Sequence, residues 1–91
     1  MEVHELIVNE LFEKKSLAAL IFLIDCGREL EFNVHGYKCF ITCDNSKKYV
    51  SLYINEIEHN FDSVYELITN AMIADNSFLV AWEQAELEYL F

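Results

Sequence analysis

Two different hydrophobic rhythms alternate along this chain. Over residues 3–14, Val3, Leu6, Ile7 and Leu11 fall at i, i+3, i+4 and i+8, with Glu2, Glu5, Glu10 and Glu13 off that stripe, which predicts an amphipathic helix. Ser16 is placed to cap a second helix running to Asp25. Its face is Leu17, Leu20, Ile21 and Ile24, with Phe22 and Leu23 filling much of the remainder, a pattern that expects burial on more than one side. Cys26-Gly27 ends it, because glycine takes the left-handed conformation past a helix end without steric cost.

From Glu29 the period becomes two. Leu30, Phe32 and Val34 share one face and Glu29, Glu31 and Asn33 the other, and Tyr37, Cys39, Ile41 and Cys43 continue the alternation after His35-Gly36. A two-residue turn at His35-Gly36 would pair Phe32 with Cys39 and Leu30 with Ile41. Residues 44–48 form a polar loop, and Val50, Leu52 and Ile54 supply the core face of a third antiparallel strand. Ser63 and Glu66 then have capping-box spacing ahead of a stripe of Val64, Leu67, Ile68 and Ala71. Ser77 is placed to cap a short helix with Phe78, Leu79 and Trp82 inward. Residues 85–89 fit more helix or a closing strand, and the alternation favours the strand. The expected fold is a single α+β domain over 1–91. In it a three-stranded antiparallel meander, with room for a fourth C-terminal strand, packs against two or three helices, Leu17–Ile24 and Val64–Met72 among them.

Composition narrows the functional classes. Every Lys and Arg precedes residue 49, so residues 49–91 carry eight of the 16 acids and none of the six permanent cations, and the net charge is −10. Such a molecule repels nucleic acid and acidic membranes and attracts basic partners. Lys47-Lys48, even with Lys38, is too small a patch to reverse this, so direct nucleic-acid binding is not expected. The longest apolar run, Leu17–Ile24, cannot span a bilayer, and the first residues lack a signal-peptide pattern. Three cysteines, an odd number, fit reduced thiols, and the expected location is cytoplasmic. An apolar fraction of 54% leaves room for a subunit interface, so a homodimer is an open expectation.

No catalytic or cofactor motif emerges. On a strand, Cys39 and Cys43 would stand about 13 Å apart at roughly 3.3 Å per residue, too far to share one metal ion. His35 would lie far from Cys26, and the core-facing Cys39 makes a poor nucleophile. Gly27 and Gly36 are accounted for by a helix stop and a turn, leaving no phosphate-binding loop. Two surface features remain. Phe40, Tyr49 and Tyr53 alternate outward among Glu31, Thr42 and Ser51, where the 3–14 helix either folds over them or leaves them as a contact patch; cover by the helix is the plainer expectation. Glu56 and Glu58 are expected on one strand face and Glu83, Glu86 and Glu88 cluster near the end, a possible line of fixed charge imitating nucleic acid.

Taken as a series, Leu23-x-x-x-Gly27-Arg28-Glu29-Leu30-Glu31-Phe32, Gly36-Tyr37-x-x-Phe40-Ile41-Thr42, Phe61-Asp62-Ser63-Val64-x-Glu66-Leu67, Asn70-Ala71 and Ser77-x-Leu79-x-x-Trp82 resembles small uncharacterised acidic proteins of Gram-positive bacteria and their mobile elements. The resemblance covers about residues 16–91. It implies a helix, a three-stranded sheet, a helix and a short end element, and it transfers no catalytic residue. Some small acidic proteins of mobile elements act as inhibitors or immunity factors. The resulting expectation is a non-enzymatic acidic binding protein that engages a basic protein surface, that of a nucleic-acid-binding protein among the candidates, through Glu56, Glu58, Asp62, Glu83, Glu86 and Glu88, with Tyr49 and Tyr53 as anchors. The alternatives are a homodimeric ligand-binding domain or enzyme with an inter-subunit site, and a structural dimer module.

Overall fold

The computed structural model describes residues 2–44, 46 and 49–91. Its elements run α1 (Val3–Lys14), α2 (Leu17–Asp25), β1 (Leu30–Val34), β2 (Tyr37–Asp44), β3 (Tyr49–Ile54), β4 (Ile57–Phe61), α3 (Val64–Asn70), β5 (Met72–Ile73), β6 (Asn76–Ser77), α4 (Phe78–Glu83) and β7 (Glu86–Leu90). Asn45, Lys47 and Lys48 of the expected polar loop, and with them the Lys47-Lys48 patch, lie outside the described residues.

The meander β1-β2-β3 forms with the register that the alternation implies, Phe32 opposite Cys39 and Leu30 opposite Ile41. It is the centre of a larger antiparallel sheet, ordered β4-β3-β2-β1-β7. The added strand on one side is the expected C-terminal one; β4 on the other was not anticipated. Each tight hairpin turn has two left-handed residues, His35-Gly36 (φ 49 and 88), Asn55-Glu56 (φ 48 and 72) and Ala74-Asp75 (φ 53 and 65). Paired positive φ values match the natural right-handed twist of the strands they join. Asn55 strengthens its turn, since its side chain accepts from Lys38 N at 2.9 Å.

Helices cover one face of the sheet. Leu30, Phe32, Val34, Cys39, Ile41, Val50 and Leu52 point into a core shared with Leu20, Leu23 and Ile24 of α2, Val64, Leu67 and Ile68 of α3, and Phe78, Ala81 and Trp82 of α4. Removing each large aliphatic side chain from water is worth about 1.5–3 kcal/mol. Trp82 stacks on Phe78 with centroids 5.7 Å apart and meets Phe32 edge-on at 5.6 Å. The helix starts follow their serines: Ser16 accepts from Ala19 N at 3.1 Å, Ser63 from Glu66 N at 3.0 Å and Ser77 from Val80 N at 3.4 Å. The Glu66 carboxylate turns to Asn70 Nδ2 at 2.9 Å.

Helix α1 packs on α2, on the helix side of the sheet, and buries Leu11 alone completely. Its position is held at the α1–α2 junction. Lys15, left-handed at φ 49, donates from Nζ to Glu83 O at 2.9 Å and Trp82 O at 3.4 Å, while Trp82 Nε1 donates to Lys15 O at 2.9 Å. A cation thereby joins the last carbonyls of α4, adding to the bond that Trp82 O already accepts from Ala85 N at 3.1 Å.

Several expected core positions face solvent instead. Val3 and Leu6 are exposed because α1 has one helix as its neighbour, and Phe22 is exposed because α2 is covered by the sheet side and by α1 but not all round. Leu79 is exposed because α4 buries Phe78, Ala81 and Trp82 as its inward stripe. Met72 is exposed because α3 stops at Asn70 and Ala71 turns extended.

Candidate functional site

The alternation that drives Leu30, Phe32, Cys39, Ile41, Val50 and Leu52 inward sends their neighbours to the opposite face of the sheet. No described helix covers that face. The expectation that the 3–14 helix would fold over it is corrected: the Lys15 clasp and burial of Leu11 commit α1 to α2.

Cross-strand pairing organises the open face into rows. One row crosses all five strands as Tyr89, Glu31, Phe40, Tyr53 and Glu58. Phe40 and Tyr53 have ring centroids 6.3 Å apart, Phe40 and Phe91 6.2 Å, and Phe91 and Tyr89 6.3 Å, so four rings form a connected aromatic band. Tyr89 and Phe91 are largely exposed at 61% and 57%, whereas Phe40 and Tyr53 are half-buried. The adjoining row contains Phe91, Glu29, Thr42, Ser51 and Asn60. Thr42 Oγ1 donates to Glu29 at 2.6 Å, and Ser51 Oγ lies 2.9 Å from Glu58 Oε2 and 2.8 Å from Asn60 Oδ1. These contacts fix the outer carboxylates in place beside the rings.

Among the described side chains of this face, Glu29, Glu31, Glu58 and Glu86 are anionic and Lys38 is cationic. The charge is −3 before Glu56, in the β3–β4 turn, is added. A ring edge beside a carboxylate suits a guanidinium or ammonium group, which gains both the ion pair and the ring face.

The eight acids of residues 49–91 are all exposed, and the one salt bridge among the described residues is Lys14 with Glu10 in α1, at 3.5 Å. They do not, however, form the expected line. Asn55-Glu56 turns the chain, so Glu56 and Glu58 do not share a strand face: Glu56 sits in the turn and Glu58 on the outer face of β4. Strands β4 and β7 are opposite edges of the sheet, about 19 Å apart at roughly 4.8 Å per strand spacing, which separates Glu58 from Glu86 and Glu88. Asp62 follows β4 and leads into α3, and Glu83 ends α4, so neither belongs to a strand of the open face. Tyr49 and Tyr53 do stand on the face, with Tyr53 directly opposite Glu58. The site residues that sequence reasoning missed are Glu29, read only as the polar side of a strand, and Tyr89 and Phe91, whose placement needs the β1–β7 register; Glu31 is legible among the outward aromatics but stands outside the expected recognition set.

The inner side is chemically quiet. Burial pushes the Cys39 thiol up from 9.0 to about 11, away from the thiolate that nucleophilic chemistry or metal ligation needs. No cluster of three or more His, Cys, Asp or Glu able to hold a metal occurs among the described residues. No helix among them is long and apolar enough to cross a membrane. Comparison of the chain with protein-family models, with curated proteins and with solved structures finds no match.

Proposed function

We propose that this chain is a non-enzymatic, acidic protein-binding domain, an inhibitor or immunity-type factor, that docks a basic protein surface against the open face of its sheet. The observation that carries the reading is the five-strand row Tyr89-Glu31-Phe40-Tyr53-Glu58, uncovered by any described element. Charge speeds the encounter and ring burial slows dissociation. The recognition set is therefore Glu29, Glu31, Glu58 and Glu86 with Phe40, Tyr53, Tyr89 and Phe91, in place of a continuous acidic strip; Glu56 and Tyr49 flank it. Three cysteines, none of them in a disulfide, accord with a reducing, cytoplasmic setting.

The test begins with capture of the partner and continues as a titration of the purified pair. Affinity is expected to fall as salt rises, and at least about tenfold, or 1.4 kcal/mol, in Phe40→Ala and again in a Glu31→Lys, Glu58→Lys double variant. Binding that ignores both salt and these substitutions overturns the proposal. A second reading, self-association through the helices, is favoured by the adjoining exposed side chains Val3, Leu6 and Phe22, which line an apolar groove of about 370 Å³ between α1 and α2. Sedimentation of the wild type against Leu6→Glu decides it.

A further inference from the structure

The open face ends at β4, and that strand differs from the opposite edge in a way that matters for recognition. Strand β7 carries a register shift against β1 between Glu31 and Phe32, which breaks the regular spacing of its outer main-chain groups. Strand β4 pairs with β3 without interruption from Ile54–Ile57 to Val50–Phe61, and nothing among the described residues pairs with its other edge. A two-residue turn makes its flanking residues a doubly hydrogen-bonded pair, so Ile54–Ile57, Leu52–His59 and Val50–Phe61 are bonded and the N–H and C=O of Glu58 and Asn60 point away from β3. The result is a regular, unfilled template for one more strand.

The side chains specify what could fill it. Glu58 and Asn60 lie on the outer face, with Glu56 and Asp62 at either end of the strand; Ile57, 64% exposed, lies with His59 on the inner side. A second copy pairing about His59 would set Glu58 opposite Asn60 but also Glu56 opposite Asp62, adding like-charge pairs to two chains that each carry −10. An extended segment with Lys or Arg at alternate positions reverses those signs, and its intervening apolar residues cover Ile57. We infer that β4 takes up such a basic segment of the partner protein as a sixth strand, continuous with the aromatic face. This rests on the docking function proposed above and specifies how the partner enters.

An end-blocked peptide of alternating lysine and valine is the probe, titrated at low salt against the wild type, Asn60→Ala and Asn60→Pro. Proline removes an N–H that no strand of this chain uses, and is tolerated on an edge for that reason. The expected result is binding by the wild type and Asn60→Ala within about twofold of each other, with a loss of at least about tenfold in Asn60→Pro and for a peptide N-methylated at alternate residues. Equal binding of the N-methylated peptide overturns strand addition while leaving face docking intact, because charge alone then holds the peptide. Failure of the wild type to bind at all overturns the inference, while face docking is decided separately by the captured partner's response to salt and to Phe40→Ala. A concentration-dependent dimer that Asn60→Pro abolishes assigns the edge to a second copy and also overturns the inference. Should Asn60→Pro not fold, the N-methylated peptide decides alone.

Discussion

At the residue scale, burial and capping set the measurable consequences. The fully inward Cys39 thiol has its pKa raised to about 11, so alkylation at mildly basic pH should modify the exposed Cys26 quickly and leave Cys39 untouched until the chain unfolds. Fast labelling of Cys39 in the native protein would contradict its placement. The same shift has a thermodynamic sign. A thiol that ionises near 9.0 unfolded and near 11 folded contributes stability that is whole below pH 9 and is lost as pH rises through 11. The loss across that window is about 2 kcal/mol, and Cys39→Ala, although less stable throughout, should show a flatter decline above pH 9. Ser63 offers a cleaner substitution: Ser63→Ala removes the acceptor for Glu66 N and should lower stability by about 1 kcal/mol in denaturant titration, with little change in the slope.

At the element scale, the turns explain which parts of the fold could be read in advance. His35-Gly36 announces itself, since glycine is the residue expected at a left-handed position, and with it the register of β1 and β2 follows from alternation alone. Asn55-Glu56 adopts the same geometry without a glycine. Residues 57–61, with Glu58, His59 and Asn60 in succession, lack a run of β-branched or apolar residues, so neither the turn nor β4 declared itself, and Glu56 was set on a strand it does not join. A glutamate at φ 72 is strained. Glu56→Gly is therefore expected to stabilise the fold by about 0.5–1 kcal/mol, raising Tm by about 3–6 °C in calorimetry; a lower Tm would show that the Glu56 side chain contributes more than its backbone loses. The serine caps were legible because a cap is local. Which side of α1, α2 and α4 would be covered was not, because helical spacing identifies a face while tertiary packing decides how much of it is hidden, as Val3, Phe22 and Leu79 show. Likewise the outward aromatics were visible in the alternation, but their contact with Phe91 depends on β7 pairing with β1 across most of the chain.

At the scale of the whole molecule, a net charge of −10 is opposed by little. The single described salt bridge, Lys14–Glu10, is exposed and of a kind worth about 0.3–0.5 kcal/mol, whereas self-repulsion acts among all the unpaired carboxylates. Adding salt at neutral pH should therefore raise Tm even as it weakens partner binding, and a Tm that fell with salt would mean that hidden ion pairs outweigh the repulsion. Opposite salt responses of stability and affinity would be hard to produce with an apolar docking surface. Trp82, the sole tryptophan, lies wedged between Phe32 and Phe78 and tethered to the Lys15 carbonyl, with the sheet between it and the band of rings. Its fluorescence thus serves as a built-in gauge of integrity: emission should stay blue-shifted and unchanged when a ligand occupies the far side, and should redden only when the helical layer comes apart, so that capture and collapse can be distinguished in one cuvette without any added label.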